Sequence, residues 1–99
     1  MTDIEEIDSE DLLAIYVGDI RHDQTCSMAG QVDIKIRKRI SAFVDEVDER
    51  MNPSDPELLA DLESKLRQDE KNYWEGIDQN LDDEIEETKQ EILSRMMNE

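Results

Sequence analysis

A single cysteine, Cys26, rules out an intramolecular disulfide framework and fits a reducing compartment, so a cytoplasmic location is expected. A lone histidine, His22, cannot supply the paired Glu-x-x-His ligands of a di-iron bundle or the ligand count of a cysteine/histidine zinc site. The only glycines, Gly18, Gly30 and Gly76, stand far apart, which leaves no glycine-rich loop to cradle a phosphate. No apolar run approaches the roughly 18 residues that cross a bilayer, and the N-terminus is acidic where a secretory signal would be basic. Hydrophobic residues make up 36% of the 99 residues and aromatic residues 4%, so any core must be thin. Bases are scarce too, 11 against 28 acids, for a net charge of -17.

That surplus repels nucleic-acid phosphates and anionic membranes and attracts basic protein surfaces, so neither direct nucleic-acid binding nor membrane binding is expected. It is unevenly placed: residues 1–31 carry eight acids and one base, residues 32–52 five of each, and residues 53–99 fifteen acids and five bases. Such polarity approaches that of disordered chains, but the apolar residues are periodic, and the period is helical.

The expected fold is all-α, one small domain made of a short N-terminal helix and a long antiparallel helical hairpin. The first helix spans about 9–21, starting near Asp8 or Ser9 and burying Leu12, Leu13, Tyr16, Val17 and Ile20. A strand through the same Leu-Leu-Ala-Ile-Tyr-Val run is the competing assignment, and a Thr2/Glu5 capping box offers an earlier start. The second helix spans about 28–51 through Val32, Ile36, Ile40, Phe43, Val44, Val47 and Met51, and ends at Asn52-Pro53. Ser54, Asp55, Pro56 and Glu57 read as an N-terminal capping box with Ser54 as cap. A third helix of about 55–97 follows, with Gly76 its one obvious place to bend; unbroken, it would be a rod of roughly 60 Å at 1.5 Å per residue. Tyr73 continues its apolar stripe and is expected in the core, and Trp74 at the seam's edge, packed against the first helix or, alternatively, part of an interface hot spot. Met28, Met51, Met96 and Met97 read as seam gap-fillers.

Counting back from the turn sets the basic cluster Lys35, Arg37, Lys38 and Arg39 opposite Asp69 and Glu70, which explains it as ion pairing; an anion site is the alternative. The same counting exhausts the second helix near Gly76, while apolar positions continue through Ile77, Leu81, Ile85, Ile92 and Met96. Either the first helix folds back over this stripe or a second copy covers it, and so thin a core favours a homodimer or larger oligomer.

The opposite face of that last segment is the most acidic part of the chain: Asp78, Asp82, Asp83, Glu84, Glu86, Glu87 and Glu91, answered by Lys89. About one carboxylate per 3 Å of helix axis is close to the roughly 3.4 Å per phosphate of one DNA strand. A second acidic block, including Glu5, Glu6, Glu10 and Asp11, lies at the N-terminus. Solubility alone asks for a net charge of about 2 to 8 in magnitude, so an excess of this size calls for another reason. In composition alone the chain resembles viral nucleic-acid mimics, which implies an inhibitor of viral or mobile-element type acting on a basic nucleic-acid-binding protein. The competing account is an oligomerising structural or adaptor protein whose acidity serves solubility or a halophilic origin. Enzymatic readings are weak: His22 and Cys26 lie four residues apart without a third orienting group in sequence. No enzymatic activity, cofactor or metal is therefore expected, and the acidic runs lack calcium-loop spacing.

Overall fold

The computed structural model describes residues 3–97, and those residues contain helices and no strand. A 3-10 turn at Ile4–Glu6 leads into α1 (Ser9–Met28), α2 (Ile34–Arg50), α3 (Pro56–Glu75) and α4 (Asp82–Met96). The Leu-Leu-Ala-Ile-Tyr-Val run is helical, as its period requires. A capping box with Thr2 falls outside the described residues.

The helix boundaries differ from the sequence reading at two junctions, α1 to α2 and α3 to α4, and a glycine closes the first helix of each. Gly30 has φ 74° and Gly76 φ 72°, the left-handed conformation that a residue without a Cβ adopts most readily. Both close helices in the same way. The Gln31 amide donates to the Cys26 carbonyl at 2.8 Å and Gly30 to Ser27 at 3.0 Å; Ile77 donates to Asn72 at 2.9 Å and Gly76 to Tyr73 at 3.3 Å. This paired closure satisfies carbonyls that a helix end leaves free. The helix expected from residue 28 therefore starts at Ile34, where the Asp33 carboxylate accepts from the Ile36 amide. The expected rod becomes α3, a turn and α4, and the longest dimension of the molecule is 41 Å.

α1 outruns its apolar stripe, reaching Met28 instead of about 21, because its second half is held by polar side chains. Asp23 is buried and accepts from Arg37 Nε at 3.0 Å and from Arg67 at 2.9 Å. Asp19, also buried, takes both Nε and an NH2 of Arg39. The basic cluster is thus partly consumed in ion pairs, but with α1 instead of with Asp69 and Glu70. Those two face Arg21, at 3.1 and 4.0 Å.

These pairs set the topology. α2 runs antiparallel to α1, α3 parallel to it, and α4 antiparallel to α3, where Arg95 meets Asp55 and Lys65 meets Thr88. α1 is the central helix: it packs chiefly on α2 and α3, which barely touch each other, and α4 packs mainly on α3. The expected α2–α3 hairpin is therefore splayed, with Tyr16 of α1 in the cleft between them. Burial pushes the Tyr16 phenol well above its ordinary pKa, with Glu63 adding to the shift.

The core joins Leu12, Leu13, Tyr16 and Ile20 of α1 to Phe43 and Val47 of α2, Leu59, Leu62 and Leu66 of α3, and Leu81, Ile85 and Ile92 at α4. On α4 the inward spacing Ile85, Thr88, Ile92 includes one polar residue, which donates to the Glu84 carbonyl at 2.9 Å and lies 3.0 Å from Lys65 Nζ. The apolar stripe that asked for a covering surface is thus closed inside the chain at Leu81, Ile85 and Ile92. Met96 is half-buried against the core, and Ile77 is exposed.

Smaller corrections have local causes. Asp55 caps α3, accepting from the Leu58 amide at 3.1 Å, while Ser54 donates to Asp48 at 2.7 Å. Met51 is buried, but Met28 and Met97 are exposed. Tyr73 is exposed because the adjacent Asn72 takes the buried position, accepting from Gln68 at 2.8 Å and donating to the Gln79 carbonyl at 3.3 Å.

Candidate functional site

The helical period that buries Ile85, Thr88 and Ile92 turns the acids of α4 outward. Asp82, Asp83, Glu84, Glu86, Glu87 and Glu91 are all exposed, and Asp78 is exposed in the turn before the helix. Asp82, Asp83 and Glu84 occupy the first turn, where negative charge interacts favourably with the helix dipole. Asp83, Glu86, Glu87, Gln90 and Glu91 line one shallow open face.

The charge along this face is graded. Lys89 stands 3.5 Å from Glu86, and Arg95 donates to Glu91 at 3.0 Å and to Asp55 at 3.0 Å. The Gln90 amide, followed by Lys89, holds the Glu86 carboxyl below its ordinary range. The hydrogen bond that Lys65 donates to the Asp61 carboxylate raises the pKa of Lys65, with Glu84 and Glu87 contributing. Among the described residues no salt bridge reaches Asp82, Asp83 or Glu87, so the least compensated charge lies in the first half of α4.

Of the N-terminal acids, Glu10 lines a groove between α1 and α4 together with Glu86, Lys89 and Gln90. That extends the α4 face across onto α1. Glu5 and Glu6 are exposed on the 3-10 turn, which Arg50 pins to the end of α2 through the carbonyls of Ile7 at 2.6 Å, Ile4 at 3.1 Å and Glu5 at 3.2 Å. Asp11 is exposed in the first turn of α1.

The basic cluster does not converge on a point. Arg37 and Arg39 are bound to Asp23 and Asp19, and Lys35 and Lys38 are exposed. His22 has a neighbour the sequence did not point to: its Nε2 is 3.4 Å from Asp33 and 3.5 Å from the Cys26 sulfur. Both contacts use the same ring nitrogen, whereas thiol activation needs the carboxylate on one nitrogen and the sulfur on the other. Among the described residues no three cysteine, histidine or carboxylate side chains converge as a metal site, and no helix is long and apolar enough to cross a membrane.

The adjacent aromatic residues expected in the core (Tyr73) and at the seam's edge (Trp74) are both exposed. Tyr73 and Trp74 end α3 with their rings edge to face, centroids 5.5 Å apart and planes at 84°. Asp69, Tyr73, Ile77, Asp78 and Asp82 line a recess beside the start of α4. No protein-family model, curated protein or solved structure matches this chain.

Proposed function

We propose that this is a non-enzymatic interaction protein whose α4 face occupies a basic nucleic-acid-binding surface of another protein, standing in for phosphate charge as an inhibitor. The observation that carries the reading is the outward run Asp82, Asp83, Glu86 and Glu87 on one rigid helix whose inner face is fixed in the core. A helix already fixed in the core keeps the attachment points of these charges spaced when a partner arrives, so binding orders side chains but no backbone. An array on a helix also offers rows about 6 Å apart, on the scale of adjacent phosphates. Glu10 extends the same face, and Asp78 and Glu91 bound it. Of the residues expected to form a self-association interface, Ile77, Leu81, Ile85, Ile92 and Met96, three (Leu81, Ile85 and Ile92) are buried within the chain.

The test is affinity capture from cell lysate at low and high salt, with the wild-type chain and with Asp82→Asn, Asp83→Asn, Glu86→Gln and Glu87→Gln combined. A nucleic-acid-binding protein retained at low salt, displaced by added DNA or RNA and absent from the folded quadruple variant, is the expected result. Equal capture by both proteins, or no partner that nucleic acid displaces, would overturn the proposal.

A further inference from the structure

We propose that Tyr73, Trp74 and Ile77 form the apolar anchor of a docking surface for a basic protein surface that carries apolar side chains among its arginines and lysines. The inference rests on the reading that the partner is basic and adds where its apolar contact is made; it does not depend on phosphate imitation.

The chain has four aromatic residues and a thin core. Tyr16 and Phe43 are buried, whereas Tyr73 is 74% exposed and the only tryptophan, Trp74, is 57% exposed, with Ile77 at 47%. Half of the aromatic residues therefore stand together outside the core, where they add little to folding. The platform beneath them is nonetheless well held. Asn72, fully enclosed, ties the end of α3 to the following turn through Gln79, and Asp69 accepts from the Leu81 amide at 3.1 Å. A rigid, exposed aromatic pair is the kind of group that dominates protein interfaces.

Area and charge decide between occupants. Aromatic side chains offer roughly 150–250 Å² each, so this patch amounts to a few hundred Å², short of the ~800 Å² per partner of an ordinary stable interface. The remainder of any contact must come from the surroundings. Residues 69–83 hold six acids (Asp69, Glu70, Glu75, Asp78, Asp82, Asp83) and one base, Lys71. A second copy would set this rim, and a net charge of -17, against its own kind. A basic surface finds opposite charge at the rim and, through arginine, a cation that also stacks on Trp74 and Tyr73. Asp82 belongs both to this recess and to the first turn of α4, so the anchor stands at the head of the carboxylate face.

The probes are two synthetic peptides of about 18 residues, roughly five helical turns, one with Leu and Arg at amphipathic helical spacing and one with every Leu replaced by Ser. Wild-type protein is expected to bind the Leu/Arg peptide at least about tenfold more tightly than the Ser/Arg peptide, with Trp74 emission moving to shorter wavelength for the first peptide only. In Tyr73→Ser/Ile77→Ser, which keeps Trp74 and changes no buried residue, the preference should fall below about twofold, because binding of the Leu/Arg peptide weakens far more than that of the Ser/Arg peptide, which loses only arginine stacking on Tyr73. No preference in the wild type, a preference kept in the double variant, or a dimer in sedimentation that the double variant dissociates would each overturn the inference. Neutralising Asp83, Glu86 and Glu87 should weaken both peptides alike. If it weakens neither while the preference persists, phosphate imitation fails and the anchor stands.

Discussion

Replacing Gly76 by alanine separates a continuous third helix from two helices joined by a turn, because the two arrangements predict opposite signs. Inside a continuous helix, Gly→Ala stabilises by about 1 kcal/mol. At φ 72° the alanine Cβ meets no atom within 4 Å, so there is no clash and the cost is purely conformational. A left-handed L-residue costs roughly 1–2 kcal/mol, from which the entropy that alanine removes from the unfolded chain takes back ~0.4–1 kcal/mol. The net is a loss of roughly 0–1.6 kcal/mol, centred near 0.8 kcal/mol. The molecule contains its own controls. Gly30 also has positive φ and open space, so Gly30→Ala should destabilise similarly, whereas Gly18 lies within α1 with nothing near its missing Cβ, so Gly18→Ala should stabilise. Urea titrations followed by helical circular dichroism read all three, and a change of 1 kcal/mol corresponds to roughly 4–8 °C in Tm for a domain of this size. If Gly76→Ala stabilises as Gly18→Ala does, the turn between α3 and α4 is refuted.

Asp23→Asn leaves Arg37 and Arg67 facing a neutral amide; since those guanidiniums are partly solvated, the loss should be about 2 kcal/mol at pH 7 and not the larger figure of a fully enclosed pair. Burial raises the Asp23 pKa, but Arg37 and Arg67 outweigh it and hold the carboxyl below its ordinary range, so the wild-type advantage is complete above about pH 4 and fades as pH falls through the lower folded value. A gap between wild type and variant that is as wide at pH 2 as at pH 7 in urea titrations would sink this assignment. Arg50→Ala frees the carbonyls of Ile4, Glu5 and Ile7, and hydrogen exchange in residues 4–12 should quicken by tenfold or more while the amides of α3 keep their protection, each lost charged hydrogen bond being worth roughly 1.5–3 kcal/mol. Unchanged exchange there would show that the 3-10 turn is held by something else.

The sequence by itself determined what local rules fix. Apolar spacing and start and stop signals placed the starts of α1 and α3 and the end of α2, Asn52-Pro53 separated α2 from α3, and the outward acids of α4 followed from the same period that buries Ile85 and Ile92. Those features depend on residues within a turn or two of one another. Tertiary structure decided what needed a partner from afar. Asp19 and Asp23 look like solvent-facing acids until Arg39, Arg37 and Arg67 arrive from α2 and α3 to neutralise them, which is why α1 runs on past its apolar stripe and becomes the central helix. Gly76 fits both a helix interior and a left-handed closure. The closed form is held from a distance, by Asp69 accepting from Leu81 and by Asn72 reaching Gln79, and once the chain turns there α4 folds back over α3 and Tyr73 and Trp74 are left outside. Periodicity counts residues along one helix and carries no record of where that helix stops, so the covered stripe and the exposed aromatic pair emerged only when the helices were packed together.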